Sequence, residues 1–364
     1  MNRNLLIAVL GACALVAGCS HKEQPKGSIA EYAKSLEGVI AAAPKSVIDL
    51  DAIEPETVYP DLVIPSDTLS KEGGLFLASP QNLVVIGDSL YISDRMNHGI
   101  VVANRDGKLI RLIGREGQGP GEFARPWEIA ANDRFILVHD EGNSRVQIFD
   151  HAFHYISSIP AFCHPTNGAL AASDRRIFVQ GSDTNLVQVY EAREPFRLEY
   201  SFMPLVVPPH QQPMAMNSVL IATTRDGPFC IGYQCLPYLF VFDSTGKQFA
   251  SIEFRGKEVD KLDQPVHKGY KASMGAVWVR IFISGLTILP DNTVLMGISG
   301  GGVLVLTYRE GKYSLRKRLQ LAEVKYWQPH FYHGGALYVS VDYRGLVKRY
   351  PLHGLGLEPG GAGS

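Results

Sequence analysis

The chain has 364 residues, 46% hydrophobic and 20% charged, with 35 basic against 36 acidic side chains for a formal net charge of −1. That composition supplies a large core and excludes an intrinsically disordered chain. No run of Lys or Arg marks a phosphate-binding face, so nucleic acid is excluded as an expected partner.

The first eighteen residues stand apart from the core. Arg3 gives a positive n-region, Leu5 to Ala17 an apolar stretch, and Val16-Ala17-Gly18-Cys19 a processing site. Thirteen apolar residues are too few to span a bilayer. The tetrapeptide resembles the bacterial lipobox, whose cysteine becomes the lipidated first residue of the mature chain. The alternatives are an ordinary secretory signal or a single span. The resemblance implies a signal peptide at 1–18, lipidation of Cys19 and a membrane tether in the bacterial cell envelope. Ser20 stands where an aspartate would resemble an inner-membrane retention signal, which favours the outer membrane of a Gram-negative bacterium. Whether the chain faces the periplasm or the surface is left open.

Ser20 to Gly27 reads as a polar tether. Ser28 and Glu31 then have the spacing of a capping box, and Ile29, Tyr32, Leu36, Val39, Ile40 and Ala43 recur at helical spacing up to Pro44. One amphipathic helix is expected there, completing a segment of tether and helix over 19–45. From Ser46 the pattern changes to short runs of Val, Ile, Tyr and Phe broken by Gly, Pro, Asn and Asp, the chemistry of strands and turns. This body extends over 46–353, followed by a Gly-rich tail over 354–364 that is expected to be flexible.

Within the body, Pro80, Asp94 and Asn97 recur about 46 residues later as Pro126, Asp140 and Asn143. Strand ends form a column at Asn104, Asp150, Tyr190, Asp243, Tyr308 and Tyr350, and three of these are followed by x-x-G-K, as at Gly107-Lys108, Gly246-Lys247 and Gly311-Lys312. Glycine there supplies the positive φ of a tight hairpin turn. Six members at roughly 49 residues each match the length of a four-stranded propeller blade. The β-prone stretch from Val47 to Ile64 precedes the first complete unit and is expected to supply the missing outer strand of the last, because an unclosed ring leaves an exposed edge.

The run from Asp140 through Asn143, Arg145, Val146, Gln147 and Ile148 to Asp150 resembles the signature of the NHL repeat, a β-propeller blade family. Gly114, Gly117, Gly119, Gly121 and Phe123 match the G-x-x-G-x-G-x-G-x-F linker between such blades in bacterial six-bladed NHL-like lipoproteins. The resemblance implies an all-β fold, a six-bladed β-propeller with a short N-terminal helix after the lipid tether. It also explains the glycines as a crossover between blades. Neither G-x-G-x-x-G nor G-x-x-x-x-G-K-[ST] fits them, and Pro120 lacks an N–H where a phosphate cradle needs donors.

The innermost strand of each blade borders the central channel. The residues beside the prolines that open the blades are therefore candidate ligand-binding groups: Gln81, Trp127, His164, Thr166 and His330. The bland alternative is a channel that holds ordered water. His139, His267 and His333 add imidazoles without a short metal motif, and Asp94, Asp140 and Asp342 occupy equivalent repeat positions that suit turn caps. No cofactor is expected, with calcium or zinc in the channel as the alternative. No catalytic residue is assigned. Cys230 and Cys235, at C-x4-C spacing in an oxidising compartment, are candidates for a disulfide that leaves Cys163 odd; buried thiols are the alternative. Arg115 and Glu116 read as a solvated surface pair, and Met203 to Met216 as a Pro-rich insertion packed on the rim or a contact surface. The function that follows is a membrane-anchored extracytoplasmic binding or scaffolding module for a protein or glycan partner. The alternative is an extracytoplasmic hydrolase or lyase with a metal in the channel.

Overall fold

The computed structural model of the chain describes residues 28–65, 74–161, 169–181, 184–207, 214–264, 280–324, 330–341 and 345–352. Many strands are apolar along their whole length: Gly99–Asn104 buries five of six residues and Phe229–Tyr233 all five. Such runs need cover on both faces, which a single sheet over a single core does not provide. The chain meets this demand by stacking small twisted sheets side by side.

Blade 1 consists of Pro80–Ile86, Ser89–Asp94, Gly99–Asn104 and Leu109–Ile113, paired in that order. Blade 2 takes Pro126–Ala131, Ile136–Asp140, Arg145–Phe149 and Tyr155–Pro160, and blade 3 takes Leu170–Ala172, Arg176–Gln180, Asn185–Glu191 and Leu198–Pro204. Blade 4 is Val219–Thr223, Phe229–Tyr233, Tyr238–Phe242 and Gln248–Arg255; blade 5 is Ile283–Ile288, Val294–Ile298, Gly302–Arg309 and Lys312–Leu321. Blade 6 has only His330–His333, Ala336–Val341 and Leu346–Pro351 from its own segment. The first strand of each blade packs against the first strand of the next, and blade 6 returns to blade 1. Six hydrophobic clusters sit between the six neighbouring pairs, so the core is a ring of interfaces rather than one centre.

Closure is narrower than the sequence suggests. Only Leu62–Ile64 pairs antiparallel with Leu346–Pro351, completing blade 6, and Ile64 is fully buried at the seam with blade 1. Upstream, Lys45–Asp49 runs parallel to the outer strand of blade 4 and Glu56–Val58 parallel to that of blade 5. The segment therefore adds a fifth strand to two blades before closing the third, and it covers edges that would otherwise be open to pairing.

The expected single helix is two short ones, Ile29–Lys34 and Glu37–Ala41. The capping box is present, with Glu31 N–H donating to Ser28 Oγ and Ser28 N–H to the Glu31 carboxylate. The helix breaks where Leu36 turns fully into the cluster between blades 3 and 4, and Gly38 adds little helical preference beyond it. The column residues close the third strands of all six blades. Asn104, Asp150 and Asp243 cap the following turns, accepting from the N–H groups of Lys108, His154 and Lys247 at 2.8, 2.8 and 3.0 Å.

Candidate functional site

In blades 1 and 2, the start of the first strand, the turn between the second and third strands, and the linker from the preceding segment lie at one end of the ring. Pro80 pairs with Asp94 and Pro126 with Asp140 at that end. The crossover loop is knitted shut there. Gly117 N–H donates to Phe123 O, Gly119 N–H to Glu122 Oε2 and Gly121 N–H to Gln147 Oε1. Asn143 holds Gly117 O, Arg145 holds Gly119 O and Glu122 O, and Gln147 holds Glu122 O. Phe123 is fully buried between blades 1 and 2, pressed against Gly114, whose φ of +87° suits glycine. With those N–H groups engaged internally, the loop has no cradle to offer a phosphate. Arg115 pairs with Glu122 at 2.7 Å, not with Glu116.

Asp140 anchors this knot. Its carboxylate accepts from Ala124 N–H at 2.7 Å, Asn143 Nδ2 at 2.8 Å, Arg145 Nε at 2.9 Å and Gln147 Nε2 at 3.2 Å. Asp94 repeats the role in blade 1, accepting from the backbone of Ala78, Ser79 and Asn97, and burial pushes its carboxyl above the ordinary value. The aspartates are turn caps, and Asp342 lies outside the described residues.

The channel is a different environment. The first strand of each blade pairs on one edge only, so its other edge is free. A cavity of about 330 Å³ is lined by the first strands of all six blades, among them Asn82, Glu128, Leu170, Thr223, Ser284 and Tyr332. The residues that sequence reading nominated do not form a ring around it. Gln81 is buried and turned back, donating to Ser79 O at 3.0 Å and to Ser79 Oγ at 2.9 Å. Trp127 sits half-buried on the loop face under the Arg95 guanidinium, 4.8 Å from its ring centre. His164 and Thr166 lie outside the described residues, and His330 contributes backbone opposite Val339.

The physical reason is a register shift. The pairing slips between Pro80 and Leu83, between Pro126 and Ile129, and between Ile283 and Gly285. Such a bulge re-aims a side chain. It brings the second residue after the proline, Asn82 or Glu128, to the channel in place of the first, and Ser284 occupies the slip in blade 5. Glu128 is 6% exposed, and burial pushes its carboxyl up to about 7. Its one hydrogen-bond partner among the described residues is the Asn82 amide. Ser284 Oγ is buried without a partner among the described residues. A signal was visible in the sequence: Glu128 is a charge inside an otherwise apolar run, P-W-E-I-A-A.

Among the described residues this lining does not fit a channel metal. It supplies one carboxylate and, among the described residues, no His or Cys, against the nitrogen and sulfur set of zinc or the several carboxylates of calcium sites. His139 sits elsewhere, buried in the second strand of blade 2, and burial lowers it to about 4 so that it is neutral. Cys230 and Cys235 are both free thiols. The disulfide is excluded by the blade itself, because Cys230 packs into the cluster between blades 4 and 5 and Cys235 into that between blades 3 and 4. Burial raises both thiols, Cys235 to about 12. Met203, Val206, Val207 and Met216 at the ends of the Pro-rich segment are buried in that second cluster, which makes the described part a packed insertion; 208–213 lie outside the described residues.

A family model described as a 6-bladed beta-propeller, DUF5128, matches residues 73–179. The chain is a six-bladed β-propeller. The matched stretch covers blades 1 and 2, where the sequence repeat is strongest, and runs into the second strand of blade 3. The propeller is similar to a solved protein of unknown function from Bacteroides thetaiotaomicron, with a TM-score of 0.51 and 12% identity over 76% of this chain and 70% of that one. It is likewise similar to U3-55K, with a TM-score of 0.50 and 14% identity over 80% and 98% of the two chains. At these identities the likeness is one of fold. Over 49 residues, 13% of this chain, it is 47% identical to Protein lin-41 of Caenorhabditis elegans, spanning 4% of that protein's length.

Proposed function

We propose that this propeller is an extracytoplasmic binding module, tethered through a lipid on Cys19 to the outer membrane and engaging a protein partner with the face that carries the crossover loops. The observation that supports the reading is the chemistry of that face over blades 1 and 2. Phe76 and Met96 are 49% and 62% exposed there, and Asn97 Nδ2 ties their loops together through Phe76 O at 2.7 Å. Beside them Arg95 lies over Trp127 and pairs with Glu141 of the next blade at 3.3 Å. Exposed apolar residues next to an Arg–Trp stack are what protein contact surfaces concentrate. A propeller also presents its loops on a rigid ring, which suits a scaffold, although fold alone fixes no function. Among the described residues no helix is long and apolar enough to cross a membrane.

A photo-reactive amino acid at Met96, in the full chain in its native envelope, tests the face. The expected result is a discrete protein adduct that Phe76→Ser abolishes. A glycan adduct overturns the choice of a protein, and an adduct no stronger than one from Tyr155 on the outer strand of blade 2 overturns the choice of face. For the anchor, Cys19→Ala should abolish acyl labelling and release the chain from the membrane fraction.

A further inference from the structure

The channel cavity has a chemistry independent of the loop face. Glu128, when ionised, brings one negative charge into it, and among the described lining residues there is no Lys, Arg or His to balance it. A carboxylate accepts hydrogen bonds on two oxygens at about four positions, and Glu128 receives one donor, from Asn82. Asn82 is itself engaged by the backbone, its Oδ1 accepting from Leu83 N–H at 2.7 Å. Blade 5 stands across the ring from blade 2, and there Ser284, 2% exposed, presents a hydroxyl without a partner among the described residues. Between these polar ends the walls are aliphatic, as at Val84, Ile129 and Leu220. The volume, about 330 Å³, lies at the small end of ligand pockets.

We propose that the channel binds a small primary ammonium compound, with its cationic nitrogen on Glu128, its methylene body along the aliphatic walls, and a hydroxyl or carbonyl group at Ser284. An ammonium has three donors and one positive charge, which matches a single under-filled carboxylate. The free edges of the first strands supply further carbonyl acceptors. An anionic ligand meets unbalanced repulsion from Glu128, and a neutral one leaves the buried charge uncompensated. A divalent cation lacks the additional carboxylates that would neutralise it.

The test uses the full chain with 4-aminobutan-1-ol, 1,4-butanediol and calcium chloride, followed by isothermal titration and ligand-observed NMR. The amino alcohol should bind saturably and the diol at least tenfold more weakly. Glu128→Gln should weaken the amino alcohol at least tenfold without lowering the melting temperature, which separates loss of the charge from loss of the fold. Ser284→Ala should weaken it a few-fold. Equal binding of the diol, equal binding to Glu128→Gln, absence of saturable amine binding, or saturable calcium binding that displaces the amine would each overturn the proposal. None of these outcomes bears on the loop face, whose test reads crosslinks at Met96.

Discussion

Two carboxylates on neighbouring strands of blade 2 are both removed from water, and they have been treated in opposite ways. Asp140 is 0% exposed and receives four donors, one of them from the Arg145 guanidinium at 2.9 Å. Glu128 is 6% exposed and receives one. A buried charge that is paired and saturated with hydrogen bonds is part of the architecture, whereas one left under-filled in a cavity is a cost that the fold carries. Asp140 fastens the crossover loop to the blade. Glu128 fastens nothing and faces the channel.

The contrast breaks most visibly at Asp140. Asp140→Ala strips the acceptor from Arg145, Asn143, Gln147 and the Ala124 N–H, and should destabilise the fold by about 3–5 kcal/mol in denaturant unfolding. A loss under about 1 kcal/mol would show that the knot is ornamental. Glu128→Gln should act in the opposite direction. Glu128's carboxyl is raised from 4.5 to about 7. Folding therefore favours its protonated form, and the penalty of the ionised form is absent below about pH 4.5, grows through the interval and is complete above about pH 7. Replacing it with the neutral isostere should stabilise the protein at pH 8 by roughly 2–4 kcal/mol, with no gain at pH 4. Destabilisation at pH 8 would place Glu128 beside Asp140 as a structural group.

Smaller changes sharpen the contrast on the loop that Asp140 holds. Gly121 has a φ of +73° and open space where a Cβ would lie, so Gly121→Ala should cost about 1 kcal/mol through backbone strain alone. The loss should be the same with or without a nucleotide or sugar phosphate; protection by either ligand would revive the loop as a binding site. Arg115→Ala removes a pair whose arginine is 81% exposed, and the unfolding midpoint should not move measurably.

The same two residues mark what was legible in the sequence. Asp140 belongs to a spaced pattern, Asp-x-x-Asn-x-Arg-x-Gln, whose Asp and Asn recur in the preceding blade as Asp94 and Asn97, because its job is local. Four of the six third strands were legible for the same reason: Asn or Asp ends the strand or Gly follows three residues on, as at Asn104 and Gly107. Glu128 escaped because its aim depends on a register slip between Pro126 and Ile129, and a slip is set by pairing with the next strand, not by residue type. Counting one residue on from the proline therefore named Gln81 and Trp127, which fold back or rest on the loop face, one position short of Asn82 and Glu128. The closing strand was legible as a β-prone stretch. Its division among three blades was not, since parallel addition to blades 4 and 5 leaves no local pattern. The cysteine pair misled because five residues of separation say nothing about which face of a blade each thiol takes.

Whether Glu128 is a desolvated, under-filled acid in the channel is read most directly by its titration. Carbon-detected NMR of the glutamate carboxyl groups from pH 3 to pH 9, with the Glu128 signal assigned as the one missing from Glu128→Gln, should show this carboxyl titrating near pH 7, well above the other glutamates. A midpoint at or below about 4.5 would mean that the group is solvated or fully partnered, and the opposition between Glu128 and Asp140 would fall.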